Sequence, residues 1–282
     1  HRWLDLGPAS LQPSEFAKPA LIIFLAWFIS MRVRAINNRH TLMPAVLATG
    51  ILGAVVVIAD LGTAVVLVAT AATVFAVAGL EKRFIAAALM MGVLAAGIAV
   101  LMKPYRLARV IAFVDPNYKL LDQVDRGGKL KQYMRQSRAT RDPGYQELQS
   151  RIAVGSGGPA GAGLAEGRQK LLYLPEAHTD FIYAVVGEEL GLWGATGVLA
   201  GFLVIFWRGV RLFWLAPDTF GRYLALGITV SIVVQALINI SVVIGIAPTK
   251  GIPLPMISYG GSSLLSSLVS LGILLSVSEH SG

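Results

Sequence analysis

Along the chain, apolar residues are gathered into blocks long enough to cross a bilayer, separated by polar and charged stretches. The first block runs from about Pro13 to Met31. Its proline suits a first helical turn and Glu15 is favourable near a helix N-terminus. The apolar stretch from Leu42 to Leu80 is too long for one crossing of about 20 residues. Its interruption at Asp60-Leu61-Gly62 predicts two spans joined by a tight turn, closed by Glu81-Lys82-Arg83. A fourth span, Phe84 to Met102, leads into a polar segment, residues 103–180. A fifth span follows from Phe181 to Phe206, a sixth from Tyr223 to Ile246 and a seventh from Ser262 to Val277. The pattern predicts an all-α polytopic membrane protein, with residues 1–282 as a single integral membrane domain of seven transmembrane helices and one large extracytoplasmic loop.

Charge placement orients these spans. Arg32, Arg34 and Arg39, then Lys82 and Arg83, then Arg208, Arg211 and Arg222 fall on one side by strict alternation, which marks that side as cytoplasmic. The large loop then lies outside and the C-terminus inside, a multi-pass arrangement in the cytoplasmic (inner) membrane. A loop longer than about 60 residues escapes the positive-inside bias, so its many basic residues do not conflict with this.

Composition narrows the class further. With 55% hydrophobic and 14% charged residues, the chain is too apolar for an ordinary water-soluble domain. Its continuous blocks exclude a porin-like barrel, whose strands alternate apolar with polar. The absence of cysteine excludes disulfides, thiolate metal sites and cysteine nucleophiles. The chain opens at His1 with no initiator Met and no signal-like region, so further helices are expected upstream.

Ionisable groups at membrane depth are costly unless they face protein or water, so those at the outer ends of spans are candidates for function. The densest cluster runs from Gln169 and Lys170 through Glu176, His178 and Thr179 to Asp180, and continues into the span holding Glu188 and Glu189. A second comprises Pro248-Thr249-Lys250-Gly251 and the stretch from Leu254 to Ser263.

In these clusters the chain resembles the SEDS family (shape, elongation, division and sporulation) of polytopic peptidoglycan glycosyltransferases. The resemblance rests on Arg2-Trp3, Gln12-Pro13-Ser14-Glu15, Asp60-Leu61-Gly62-Thr63, Tyr145-Gln146, Gly155-Ser156-Gly157-Gly158, the Leu174 to Gly191 block and the Pro248 to Ser263 block. It implies a ten-helix fold with both termini cytoplasmic, of which the seven spans are the fourth to the tenth. Pro248-Thr249-Lys250-Gly251 and Pro104-Tyr105-Arg106 look more like the division branch than the elongation branch.

The resemblance implies polymerisation of lipid II outside the cytoplasmic membrane, for septal wall synthesis. The partners it implies are a class B penicillin-binding transpeptidase with other division proteins, and membrane lipids. Nucleic acid is not expected on the external face. A sugar hydroxyl is a poor nucleophile, so a carboxylate within reach must take its proton. Asp180 is the residue that matches the family's base. Inversion by direct displacement requires no second carboxylate as nucleophile. The pyrophosphate leaving group needs cations or convergent backbone donors. Arg106, Arg109, Lys170 and Lys250 are candidates, as are the N–H groups of Gly260-Gly261-Ser262-Ser263 at the start of the last span. No cofactor is required by the sequence, and a divalent cation, Mg²⁺ or Mn²⁺, at Asp180 or at the pyrophosphate is compatible with it.

Plainer readings stand beside these. Asp180 is also an ordinary cap before an apolar run, Asp60 an ordinary turn residue, and His178 either a second base or a loop-orienting group. Glu188 and Glu189, about 12 Å below Asp180 at 1.5 Å per residue, fit a structural polar network or a proton role. Lys18, near Glu15, either snorkels or binds phosphate. Gln235 and Asn239, one turn apart, fit packing within the bundle. The charged tract at about 117–142 departs from the family pattern and reads as solvated or partly disordered, as an amphipathic helix on anionic headgroups, or as a partner contact. Two other functions remain open: a lipid II flippase, which needs a polar cavity near the midplane, and a scaffold with no use for Asp180.

Overall fold

A computed structural model describes residues 4–5, 10–115, 119, 121, 125, 128–135, 143–169 and 174–281. After a short antiparallel pairing of β1 (Leu4–Asp5) with β2 (Ser10–Leu11), the described chain is helical. The helices are α1 (Pro13–Arg32), α2 (Arg39–Ala59), α3 (Leu61–Val77), α4 (Lys82–Leu101), α5 (Pro104–Val114), α6 (Lys129–Arg135), α7 (Pro143–Ser156), α8 (Ile182–Leu215), α9 (Thr219–Val243) and α10 (Gly261–Glu279).

Six of these, α1, α2, α4, α8, α9 and α10, are long and apolar enough to cross a membrane. The seven crossings expected from the sequence are therefore not all met by length. Helix α3 is apolar but has 17 residues, about 26 Å at 1.5 Å per residue against a hydrocarbon core of about 30 Å. Both of its ends are set by local chemistry. Asp60 caps the start, accepting from the N–H groups of Gly62 at 2.9 Å and Thr63 at 3.3 Å and from the Thr63 hydroxyl at 3.1 Å. Gly79, at φ 89°, stops the other end, with the Leu80 N–H returning to the Phe75 carbonyl. Asn37 ties the turn before α2 to the turn after α3, donating to the Gly79 carbonyl and accepting from the Glu81 N–H.

The fifth expected span, Phe181 to Phe206, is longer than its apolar block indicated. Helix α8 runs on to Leu215 and is broken at Gly191, whose φ of 63° and ψ of −158° are not helical. The segment expected as one polar loop, 103–180, contains α5, α6 and α7. Most of the 117–142 tract lies outside the described residues. Its described part holds α6, whose start is capped by Asp125 accepting from the Lys131 N–H at 2.9 Å, while Tyr133 Oη donates to the Leu101 carbonyl at 3.0 Å. The Lys131 N–H, with those of Leu130 and Lys129, holds the Asp125 carboxyl below the usual carboxylate range.

The chain divides into two compact units: unit 1, His1–Leu94, Leu199–Ala236 and Pro255–Gly282; and unit 2, Ala95–Val198 and Leu237–Leu254. In unit 1, α1 buries Leu25, Phe28 and Ile29, and the part of α9 from Tyr223 to Ala236 is almost wholly buried. Glycines permit the tight packing: Gly227 lies against Ile22, and Gly209 leaves room only for the Thr229 side chain. In contrast, Met90, Met91, Val93 and Leu94 of α4 are exposed, as suits residues whose solvent is lipid. In unit 2, α7 is fixed to the end of α9 by the buried Ser150 hydroxyl, which donates to the Val243 carbonyl at 2.8 Å.

Candidate active site

The first cluster and the Pro248-Thr249-Lys250-Gly251 part of the second meet in unit 2; the stretch from Pro255 to Ser263 belongs to unit 1. The first is a tight turn built on Glu176, a non-glycine residue at φ 56°. Its carbonyl accepts from the N–H groups of Thr179, Asp180 and Phe181 at 3.2, 3.1 and 3.3 Å, and its carboxylate accepts from the Thr179 hydroxyl at 3.0 Å. Left-handed backbone at such a residue costs on the order of 1 kcal/mol or more and persists only where its surroundings demand it. Buried Leu174 and Ala177 anchor the turn, His178 is exposed, and Asp180 emerges half-buried just before α8.

The second cluster supplies Gly251, against which the Asp180 carboxylate rests. A Cβ on Gly251 would stand 2.5 Å from Asp180 Oδ2. Thr249 and Ile252 on either side are buried and Lys250 is half-buried. Asn239, in the last turns of α9, joins the two clusters: its Nδ2 donates to the carbonyls of Asp180 at 2.8 Å and Ile252 at 2.7 Å. Sequence reading placed Asn239 among packing residues, since an amide within an apolar helix carries the same signal for either role.

Arg106, near the start of α5, is buried. Its Nη1 donates to the Ala99 carbonyl at 3.2 Å, among the open carbonyls at the end of α4, and its Nε donates to Tyr105 Oη at 3.0 Å. The Arg106 and Arg109 guanidinium groups lie 5.7 and 5.9 Å from the centre of the Tyr105 ring. Lys170 lies outside the described residues, as does the Arg2-Trp3 motif.

Glu188 and Glu189 bind backbone. Glu188 Oε1 accepts from the N–H groups of Arg168 at 2.8 Å and Gln169 at 3.1 Å, and Glu189 Oε2 accepts from the Ala165 N–H at 3.1 Å. They belong to a larger device that sequence reading missed. Where Gly191 breaks α8, the glycine-rich segment after α7 supplies the missing partners. The N–H groups of Ala162 and Gly163 donate to the carbonyls of Glu188 at 2.9 Å and Glu189 at 3.1 Å. In return, Leu192 donates to the Gly158 carbonyl at 2.9 Å and Trp193 to Pro159 at 3.4 Å. Backbones this close leave no room for a Cβ at Gly157, Gly161 or Gly191. The run Gly155-Ser156-Gly157-Gly158 was the visible signal of it.

The remaining candidates are in unit 1 and bear on its packing. Buried Lys18 donates to Glu15 Oε2 at 2.8 Å and to Gln235 Oε1. Glu15 is buried and its carbonyl accepts from the Ser266 hydroxyl at 2.8 Å. The Ser262 hydroxyl accepts from the Gln12 N–H at 3.0 Å, and Ser263 is buried beside it. Gly260 and Gly261 lead into α10 with extended backbone at Gly260. Asp60 is the cap of α3 described above.

Fold and site thus define a multi-pass helical membrane protein with a carboxylate held where the turn before one span meets the segment after another. The model of the FtsW, RodA and SpoVE family, described as cell cycle protein, matches residues 1–282. The chain belongs to this family. It is 41% identical over 283 residues to a Geobacter sp. (strain M18) protein named "Probable peptidoglycan glycosyltransferase FtsW", covering 99% of this chain and 71% of that one. It is 40% identical over 284 residues to Stage V sporulation protein E of Bacillus subtilis (strain 168), covering 99% and 70%. Among solved structures, the fold is similar to a chain in "Structural coordination of polymerization and crosslinking by a peptidoglycan synthase complex", with a TM-score of 0.70, 27% identity and coverage of 100% and 74%. It is also similar to the rod shape determining protein RodA of Thermus thermophilus, with a TM-score of 0.62, 25% identity and coverage of 100% and 70%.

Proposed function

We propose that this protein is a peptidoglycan glycosyltransferase that polymerises lipid II at the outer face of the cytoplasmic membrane, with Asp180 as general base. The observation that carries the assignment is the Asp180 carboxylate resting on Gly251, next to Lys250, with its backbone clamped by Asn239. In this reading the acceptor sugar hydroxyl gives its proton to Asp180 as its oxygen attacks the donor carbon that bears the pyrophosphate. One glycosidic C–O bond forms, the C–O bond to pyrophosphate breaks, the carbon inverts, and undecaprenyl pyrophosphate leaves. Negative charge grows on that leaving group. Lys250, Arg106, Arg109 and Lys170 are the cations assigned to it.

Asp180 offers hard oxygen donors of the kind Mg²⁺ or Mn²⁺ takes, and among the described residues no three His, Asp or Glu side chains are grouped to hold an ion by themselves. Mg²⁺ commonly binds through one or two carboxylates plus substrate phosphates. Asp180 would hold such an ion, which would supply positive charge to the leaving pyrophosphate.

The working assembly is proposed to include a class B penicillin-binding transpeptidase. The similarity to a chain in a study of coordinated polymerisation and crosslinking supports that partner, and the FtsW-named relatives support a role in division. The alternation of basic loops supports an external site and a cytoplasmic C-terminus.

The test is gel-resolved glycan formation from purified lipid II with the partner present, comparing wild type with Asp180→Asn. Polymer from wild type and none from a variant that expresses and binds its partner normally is the expected result. Equal polymer from both removes Asp180 as the base. No polymer from either, together with lipid II translocation in liposomes, replaces the glycosyltransferase with a flippase.

A further inference from the structure

Unit 1 contains a cavity of about 630 Å³ where the last turn of α1 and the 3-10 turn Val33–Ala35 meet the start of α2, the end of α8 and the start of α9. Nothing in the glycosyl-transfer reading uses it. Its walls are of two kinds. Arg32 and Arg222 contribute charge, with the hydroxyls of Thr41, Thr219 and Tyr223 beside them, while Met31 and Phe213 make an apolar side.

Both arginines are held without being neutralised. The Arg32 guanidinium lies 5.0 Å from the centre of the buried Phe28 ring. Arg222 Nε donates to the Ala216 carbonyl at 2.8 Å, which fixes the fork and leaves its outer edge exposed. Among the described residues neither forms an ion pair with a carboxylate. The neighbouring acid, Asp218, is occupied at the start of α9, where it accepts from the Gly221 N–H at 2.8 Å.

The depth of the cavity follows from its surroundings. Trp207 and Trp214 on α8 are 59% and 72% exposed, the placement of tryptophans at a membrane–water interface. The basic residues at these helix ends, Arg208, Arg211 and Arg222, mark the cytoplasmic side. A ligand there meets two forked cations and several hydroxyls at headgroup level, with an apolar wall. Arginine pairs with phosphate through parallel N–H donors, and basic pockets between membrane helices on the cytoplasmic side suit anionic lipid headgroups.

We propose that this cavity binds the phosphodiester headgroup of an anionic phospholipid of the cytoplasmic leaflet, with Arg32 and Arg222 on its phosphate oxygens. The hydroxyls face the polar head, and Met31 and Phe213 face the first acyl carbons. A soluble phosphate has no use for the apolar wall, and a zwitterionic lipid brings its own cation against the arginines.

The purified protein is exchanged into nanodiscs of phosphatidylcholine with a small fraction of phosphatidylglycerol, and retained lipid is counted by native mass spectrometry. Wild type is expected to retain phosphatidylglycerol at least tenfold over its share in the disc. The Arg32→Gln/Arg222→Gln double variant should lose that enrichment. Arg208→Gln, which removes a charge over the Trp207 ring outside the cavity, should keep it. Arg32→Lys/Arg222→Lys retains charge but not the fork and should fall between them, so the result does not depend on how well the glutamine variant folds. Equal retention of the two lipids by wild type, or undiminished enrichment in the double variant, overturns the site. Displacement of phosphatidylglycerol by millimolar inorganic phosphate overturns the lipid in favour of a soluble anion.

Discussion

The Asn239 side chain spans the two halves of the candidate active site, with its Nδ2 2.8 Å from the Asp180 carbonyl and 2.7 Å from the Ile252 carbonyl. Both donor positions of the amide are thereby used to hold the base-bearing turn against the segment that carries Lys250 and Gly251. The residue is buried, and its Oδ1 has no partner among the described residues. Asn239→Ala should lower kcat for glycan formation roughly 10- to 100-fold, the scale expected when a reacting group is misplaced by about 1 Å, with a smaller change in KM for lipid II. Asn239→Asp should do no better, because it sets a carboxylate against two carbonyl oxygens. Initial rates over a range of lipid II concentrations check this, and an unchanged kcat would show that the clamp does not position Asp180.

Gly251 is the surface on which the Asp180 carboxylate rests. Gly251→Ala puts a methyl group 2.5 Å from Oδ2, closer than van der Waals contact permits, so the carboxylate must move. Activity should fall on the order of 100-fold while the protein still folds, since no positive φ is required at this position. Gly53→Ala in α2 is the control: a Cβ there meets nothing within 4 Å, so activity should be retained. Equal activity in both variants would mean that the Asp180 position is not critical.

The spans were legible because apolar blocks record burial in lipid residue by residue, and the Asp60 turn because a capping side chain is a local signal. The proximity of Asp180 to Lys250-Gly251 was foreshadowed only by two polar clusters at the same end of different spans. Other features left weaker traces. The break at Gly191 is mended by backbone groups of a distant segment, and main-chain hydrogen bonds have no side-chain signature, so only the glycines hinted at it. The length of α3 depends on where Asp60 and Gly79 stop it rather than on how far the apolar block extends. Lys18 reads alike as a snorkelling cation or a phosphate ligand until the fold brings Gln235 to it.

Glu147 on α7 gives a pH test outside the membrane-spanning helices. Its burial pushes the carboxyl up, opposed by Arg151 at 3.6 Å. Because the folded-state value is raised, the folded protein binds the proton more tightly than the unfolded chain. Stability from this group is therefore full below the ordinary glutamate value and is lost as pH rises through the raised one. Glu147→Gln removes that dependence. The difference in unfolding midpoint between variant and wild type, measured from pH 4 upward, should shift in favour of the variant as pH rises and then level off. A difference that does not change with pH would show that Glu147 titrates alike in both states.

The glycine staple across the break in α8 predicts two unequal costs from one kind of substitution. Gly158 and Gly161 both have positive φ, 55° and 86°. At Gly158 a Cβ meets nothing within 4 Å, whereas at Gly161 it collides with the Glu189 carbonyl and the Gly191 N–H. Gly158→Ala should cost only its backbone strain, about 1–2 kcal/mol. Gly161→Ala adds the loss of docking and should cost about 3 kcal/mol or more. It should also release the backbone around Ala162 and Gly163, whose N–H groups are held by Glu188 and Glu189. Limited proteolysis of the protein in detergent should then cleave near these residues in Gly161→Ala and spare them in Gly158→Ala. Equal protection in the two variants would mean that the loop is held by its other contacts, the Glu188 and Glu189 carboxylates among them, and that close backbone approach at Gly161 contributes little.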